Sequence, residues 1–440
     1  MSRSVVLGSS ESTIDLLLDY LYKQVQLTIP DSPYKDFYLW ALSADNPHQH
    51  QWLETIGLYQ FVHLSHGLLD GLVPQPLVGA LLQRSFPMNT YLLFETISDN
   101  LAFGCAPWCD LPFDHHRERR QMLLAFNADM VRRIQHATDK PASYQDAYPW
   151  QDAALRFSSL AQSMSAHKQQ ASIEAYLQQH PHVHLHDIEY GTWVLLAANI
   201  ENCVAVAGAV HGHLLQPLLA DTLAKRYEGV TYLLEHRNLK LDDLLQIGTH
   251  TILVMTVLTY YSACLADLLK IDLAPVVNNG LIERVFSQAA LLIRLLNDIG
   301  TSLLRDDDLR QDMLDLARLA HETRPEKYDT VYSLLLNVAR GHVTLTRLQK
   351  DIQFGEFNIL LHNLMPIQHD ITQALDVFEQ HLTHCAELYT HTRGALLRDM
   401  ASLESALGRD AFGELAWRFV MFHEQLYSHS FLSNDGEYAV

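Results

Sequence analysis

Strand signals are almost absent from this chain, and that absence narrows its architecture more than any single motif. No long run alternates Val, Ile or Thr with polar residues, and the one Asn-Gly pair, Asn279-Gly280, leads into a helical pattern rather than a second strand. Apolar residues recur instead at i, i+3, i+4 and i+7 over Ser12–Gln26, Gln51–Leu69, Gln121–His136, Thr192–Leu219, Tyr328–Gln349 and Ile367–Thr392. Pro and Gly fall mainly between these runs, as at Pro30, Pro47, Pro74, Pro141, Pro181 and Pro275. The expectation is an all-α protein of well over ten helices. No internal repeat or low-complexity linker divides it. Residues 11–440 are therefore expected to form a single large helical domain, after a disordered N-terminus at 1–10.

Charge and cysteine usage narrow the partners. Against 31 Lys and Arg stand 51 Asp and Glu, a formal net charge of -20. Nucleic acid is not an expected partner, because phosphate neutralisation needs a basic face. A small phosphorylated ligand held through metal ions is compatible with that balance. Five scattered cysteines without a CxxC read as reduced thiols in a cytoplasmic protein. Leu244–Ala266 is uncharged and long enough to span a bilayer. Its Gln246, Thr249, His250, Thr251, Thr256, Thr259 and Ser262 make it a buried core helix lining a cavity, so stable membrane insertion is not expected.

Histidine is abundant, at 25, and clusters at His63/His66, His115/His116, His180–His186 and His211/His213. None has an HExxH or paired ExxH spacing. These are read as surface or singly hydrogen-bonded histidines rather than a metal centre.

The informative stretch is 292–308, Leu-Ile-Arg-Leu-Leu-Asn-Asp-Ile-Gly-Thr-Ser-Leu-Leu-Arg-Asp-Asp-Asp. Asn297, Thr301 and Arg305 are spaced by four residues, and so are Asp298, Ser302 and Asp306. On a continuous helix each set stacks along one side. Amide, hydroxyl and carboxylate oxygens in that array suit a hard cation such as Mg2+. The plainer reading is a helix end with solvated polar residues and a loop starting at Asp306. A second stretch, 101–116, places Asp110 and Asp114 four apart beside Trp108 and Phe113. Two carboxylates at the end of an apolar helix can bridge metal ions; the alternative is a loop with two solvated aspartates.

Arg294-Leu-Leu-Asn-Asp-Ile-Gly-Thr-Ser302 closely resembles the second metal motif of class I terpene synthases, (N/D)D-x-x-(S/T)-x-x-x-E, and Asp110 and Asp114 resemble the outer positions of that family's DDxxD motif. The resemblance covers residues 80–440 loosely. It implies a class I terpene synthase-like helical bundle around a central apolar cavity, with an insertion around 115–190. It further implies Mg2+, up to three ions, held at Asp110, Asp114, Asn297, Asp298 and Thr301 with an isoprenoid diphosphate, C20 by preference. Ser302 and Asp306 supply ligands in the shifted register.

By the same resemblance Arg294 and Arg237 contact diphosphate, and Arg305 is a further candidate contact by its guanidinium chemistry. Phe103, Trp108, Phe113, Trp193, Gly248, Thr249, Tyr260 and Tyr261 line the pocket. Gly248 with Thr249–Thr251 is the candidate helix kink, and Tyr427–Tyr438 with Asp435 is an aromatic tail closing over the site.

Two positions depart from the pattern. Arg305 stands where the motif has Glu, and Leu111 stands at the middle acid of the aspartate-rich motif. Asp306 is available to replace the missing acid, or Arg305 is available to meet diphosphate directly. The implied reaction is diphosphate ionisation followed by carbocation cyclisation, rearrangement, and deprotonation or water capture. The alternatives are a trans-prenyl diphosphate synthase of related fold and a non-catalytic helical scaffold. A homodimer is compatible with either.

Overall fold

The computed structural model describes residues 10–102, 104–106, 108, 116–136, 148–156, 158, 166–191, 193–340, 342 and 345–428. Among these residues the secondary structure is helical throughout, α-helices with two short 3-10 turns and no strand, so the all-α expectation holds. Phe103, Asp110, Phe113, Asp114, the first nine residues and the tail from 429 onward lie outside the described residues.

The chain clusters into two compact units. The first comprises Met1–Ala102, Phe113–Tyr227 and Thr259–Asp272; the second comprises Phe103–Pro112, Glu228–Leu258 and Leu273–Val440.

In the first unit the helix Gln75–Leu101 packs along Trp193–Ala209, with Leu58–Leu69 and Ser10–Thr28 alongside. Pro87 sits inside the long Gln75–Leu101 helix. Trp193–Ala209 is buried on most faces, as interior helices are, and Gln75–Leu101 buries Asn89, Thr90 and Glu95 along with its apolar residues. A cluster of aromatic rings packs among aliphatic residues such as Leu17, Leu21, Val25 and Leu53. Phe37 meets Trp52 edge-on at 5.3 Å between ring centres, and Tyr176 in the same manner at 5.3 Å. Full burial of each such ring is worth roughly 1.5–3 kcal/mol.

The second unit is organised around Leu281–Ile299. Leu281, Ile282, Val285, Phe286, Ala289, Leu292, Ile293, Leu296 and Ile299 are all buried. They pack against Ile371–Leu407, Ala411–Leu426 and Leu241–Thr251. The 37-residue helix Ile371–Leu407 starts at Asp370, whose carboxylate accepts from Gln373 N at 3.1 Å, and ends at left-handed Gly408, φ +66°.

Leu244–Ala266 is broken rather than continuous. Leu241–Thr251 and Val254–Leu269 meet at a 41° bend, and Leu253 takes φ +59° there. The bend lies just past the expected kink: Gly248 and Thr249 remain helical. The four described cysteines, Cys105, Cys203, Cys264 and Cys385, are buried free thiols.

Candidate functional site

The stretch singled out in the sequence ends the central helix of the second unit, and the helix does not run through it. Leu281–Ile299 stops at Gly300, with φ +90° and ψ 153°, and a short helix Thr301–Arg305 restarts beyond. Only glycine adopts that backbone without strain. The i, i+4 stacking across 297–306 therefore does not form. Thr301 turns away instead: its hydroxyl donates to Glu424 O at 2.7 Å and its N–H to Tyr427 O at 3.2 Å. Asp306 is exposed and caps the next helix, accepting from Leu309 N at 3.0 Å. Ser302 is half-buried. Arg305 is exposed, with its guanidinium 3.5 Å from the Glu424 carboxylate. Glu424 is itself buried and also takes Tyr389 OH and Arg393 Nε.

On the other side of the break, a buried polar network forms. Asp298 is fully buried; it is ion-paired to Arg294 one turn earlier, and its second oxygen accepts from Ile359 N at 2.9 Å. Asn297 is held from two directions. Arg347 donates through Nε to its carbonyl at 2.6 Å and through Nη2 to its Oδ1 at 2.8 Å. Tyr427 OH donates to the same Oδ1 at 2.9 Å, and the Arg347 guanidinium lies 5.1 Å over the Tyr427 ring. Asn358 caps the short helix Ile359–His362 and also bridges Asp298 O and Asp351 Oδ2, both at 2.8 Å. Asp351 is buried; desolvation raises its carboxyl to about 6, against the opposing pull of Arg347. Lys350 and Glu356 close the edge at 2.7 Å.

Arg294 also reaches the wall of the broken helix. A Cβ at Gly248 would sit 3.0 Å from Arg294 Cδ, so glycine is what lets the arginine lie flat there. The Phe357 ring covers the guanidinium at 5.3 Å. Trp108 is buried against Tyr332, 5.9 Å between ring centres, and edge-on to the buried His362 at 6.0 Å.

The remaining expected residues are placed elsewhere. Arg237 is on the surface, and Thr249 Oγ1 donates to Gln246 O at 2.7 Å. Trp193, Tyr260 and Tyr261 belong to the first unit. Tyr260 OH donates to Arg84 O at 2.7 Å, and Tyr261 OH lies 3.1 Å from Ser65 Oγ.

The Mg2+ ligand set implied by the motif was tested on these donors. Asn297 Oδ1 already accepts two hydrogen bonds, and Asp298 carries a guanidinium and a backbone N–H. Thr301 and Asp306 face other partners across the break. Mg2+ needs a near-octahedral oxygen shell at about 2 Å, and these oxygens are already engaged by protein partners. Among the described residues no three His, Cys, Asp or Glu side chains gather at metal-ligand spacing. The second-motif residues as placed do not fit the ion.

Arg347, Asp351, Asn358 and Glu424 were not singled out from sequence. The available signal was Arg347 and Asp351 at i, i+4 on one amphipathic helix, with Asn358 as a capping residue. A second missed cluster lies in the first unit. Glu95 is buried there, and its Oε2 accepts from Tyr227 OH at 2.6 Å and Asn199 Nδ2 at 2.7 Å, with Arg226 3.1 Å from Oε1. Burial raises the Glu95 carboxyl above its usual range.

No family model, no curated protein and no solved structure matches this chain.

Proposed function

We propose that the second unit binds an isoprenoid diphosphate and promotes its ionisation, as a class I terpene synthase-like enzyme. One observation carries the reading: two buried arginines, Arg294 and Arg347, are gathered with Asn297 at the end of the central helix, beside a broken neighbouring helix and the Phe357 ring. A guanidinium presents a rigid fork suited to phosphate oxygens. In this reading Arg294 and Arg347 exchange their internal partners for the diphosphate. The allylic carbon–oxygen bond breaks, its electron pair leaves with diphosphate, and an allylic carbocation remains. Loss of a proton or capture of water ends the reaction. Trp108, Tyr332 and Phe357 supply aromatic faces that tolerate a cation and repel water.

A non-catalytic helical scaffold is the second reading. Its support is the internal satisfaction of Asn297 and Asp298 and the helix break at Gly300, which together leave the metal motif unassembled.

Gas chromatography–mass spectrometry separates the two. The purified chain is incubated with C10, C15, C20 and cyclised C20 diphosphates, with and without Mg2+. Release of a hydrocarbon or alcohol, lost in Asn297→Ala, Asp110→Ala and Arg347→Ala, is the expected result. No diphosphate release from any substrate favours the scaffold. A longer linear diphosphate formed with isopentenyl diphosphate, and no hydrocarbon, indicates a prenyl-chain synthase.

A further inference from the structure

The first unit carries a paired imidazole site that the proposed activity does not use. The helix Ala166–Gln179 ends at His180, whose N–H donates to Tyr176 O at 2.8 Å. The next residues make a tight turn: Val183 N–H donates to His180 O at 3.0 Å. Pro181 occupies the second position of that turn, where its fixed φ is favoured. The turn brings His180 and His182 to the same side, with ring centres 6.0 Å apart and planes at 85°. Tyr176 packs on the His180 ring at 4.3 Å and limits its rotation. His182 is exposed and His180 half-buried.

We propose that His180 and His182 chelate a borderline divalent transition ion, Zn2+, Ni2+ or Cu2+, with water completing the shell. Imidazole nitrogen suits these ions and not Mg2+ or Ca2+. With metal–nitrogen bonds of about 2 Å, two imidazoles on one tetrahedral ion have ring centres roughly 5 Å apart. The observed spacing reaches that by a small rotation of the exposed His182 ring. The turn fixes the backbone spacing of the two residues and the tyrosine stack restrains the His180 ring, so less conformational entropy is lost on binding. The chain's net charge of -20 also favours cation approach.

The neighbouring histidines belong to the next helix: the His184 main-chain N–H meets Asp187 Oδ2 at 3.0 Å where Leu185–Glu189 starts, and the His186 ring stacks on Tyr190 at 4.5 Å. The proposed site is a two-imidazole one, since no three His, Cys, Asp or Glu side chains gather at metal-ligand spacing among the described residues.

Isothermal titration of the untagged full-length protein with NiCl2 and with ZnCl2 tests this. The wild type is expected to bind one ion saturably. His180→Gln/His182→Gln is expected to weaken that binding at least tenfold, and His182→Gln alone, at an exposed position, at least fivefold. His211→Gln/His213→Gln, which alters another histidine pair of the same unit, is expected to stay within twofold of wild type. Circular dichroism checks that each variant is folded. Absence of saturable binding by the wild type overturns the proposal. So does retention of affinity within twofold by folded His182→Gln, or a tenfold loss in the His211/His213 variant with none in the His180/His182 variant.

Discussion

The Arg294–Asp298 pair is the sharpest point at which the buried network can be challenged. Arg294 keeps 5% of its side chain exposed and Asp298 none. Replacing Asp298 by Leu strands a buried guanidinium, and breaking a buried pair from one side costs about 3–5 kcal/mol. It also deprives Ile359 N of its acceptor, a penalty of about 1–3 kcal/mol when the donor stays dry. Arg294→Met leaves the carboxylate with Ile359 N and the Asn297 amide, so its cost is expected at the lower end of the same range. In the double variant both charges are gone, and the Ile359 N–H and the half-buried Asn297 amide lose an acceptor. This variant should lie within about 1–3 kcal/mol of wild type, well below the sum of the singles. The assay is urea unfolding of the four proteins followed by circular dichroism, with the coupling energy taken from the cycle. A coupling of at least about 2 kcal/mol is expected. Additive singles, or an Asp298→Leu cost under about 1 kcal/mol, would refute the buried-pair argument.

Other consequences follow from the same geometry. Asp351 has a folded-state carboxyl raised from 3.8 to about 6, so the folded chain holds a proton that the unfolded chain releases; its contribution to stability is full below 3.8 and lost as pH rises through about 6, and Asp351→Asn should flatten that part of a stability-versus-pH curve. Gly248→Ala places a methyl 3.0 Å from Arg294 Cδ and should cost about 1–3 kcal/mol in unfolding free energy, with loss of any diphosphate release measured in parallel. In Gly300→Ala the Cβ meets Tyr427 O at 3.7 Å, an ordinary van der Waals contact, but alanine is forced to φ +90°; a loss of about 1–3 kcal/mol by urea titration is expected. Tyr227→Phe removes the donor to Glu95 Oε2 and should destabilise the first unit by about 1–3 kcal/mol, read by hydrogen exchange in the Gln75–Leu101 helix.

How much was legible in the sequence depends on the range of the interaction that decides each feature. The helices were legible because a 3.6-residue apolar period is a local property, and Leu281–Ile299 shows it over every turn. The bend in Leu244–Ala266 was legible as a weak point but not to the residue, because the left-handed Leu253 carries no glycine or proline signal. Arg294 was singled out and is buried at the network, whereas Arg347 was not, since its role depends on Asn297 and Tyr427, far along the chain in both directions.

The break at Gly300 shows why a spacing argument and a structure diverge at this motif. A glycine inside a helix costs about 1 kcal/mol relative to alanine, so Asp298-Ile-Gly-Thr held a local hint of termination. Termination became the outcome because Thr301 N and Oγ1 find acceptors on Tyr427 and Glu424, partners that no window around residue 300 contains. Once the helix ends there, four-residue spacing no longer aligns side chains. The oxygens of Asn297 and Asp298 are then claimed by Arg347, Tyr427, Arg294 and Ile359 N. A ligand that takes this site must offer the two guanidiniums something better than those oxygens. A diphosphate does so, with more negative charge and a geometry that matches the guanidinium fork. Arg294→Lys and Arg347→Lys keep the charge and lose the fork, so they separate the two contributions. If the arginines meet phosphate, each variant should weaken inorganic diphosphate binding at least tenfold in calorimetry while the fold persists. Unchanged binding in both variants would place the anion, and with it the chemistry, somewhere other than the end of the central helix.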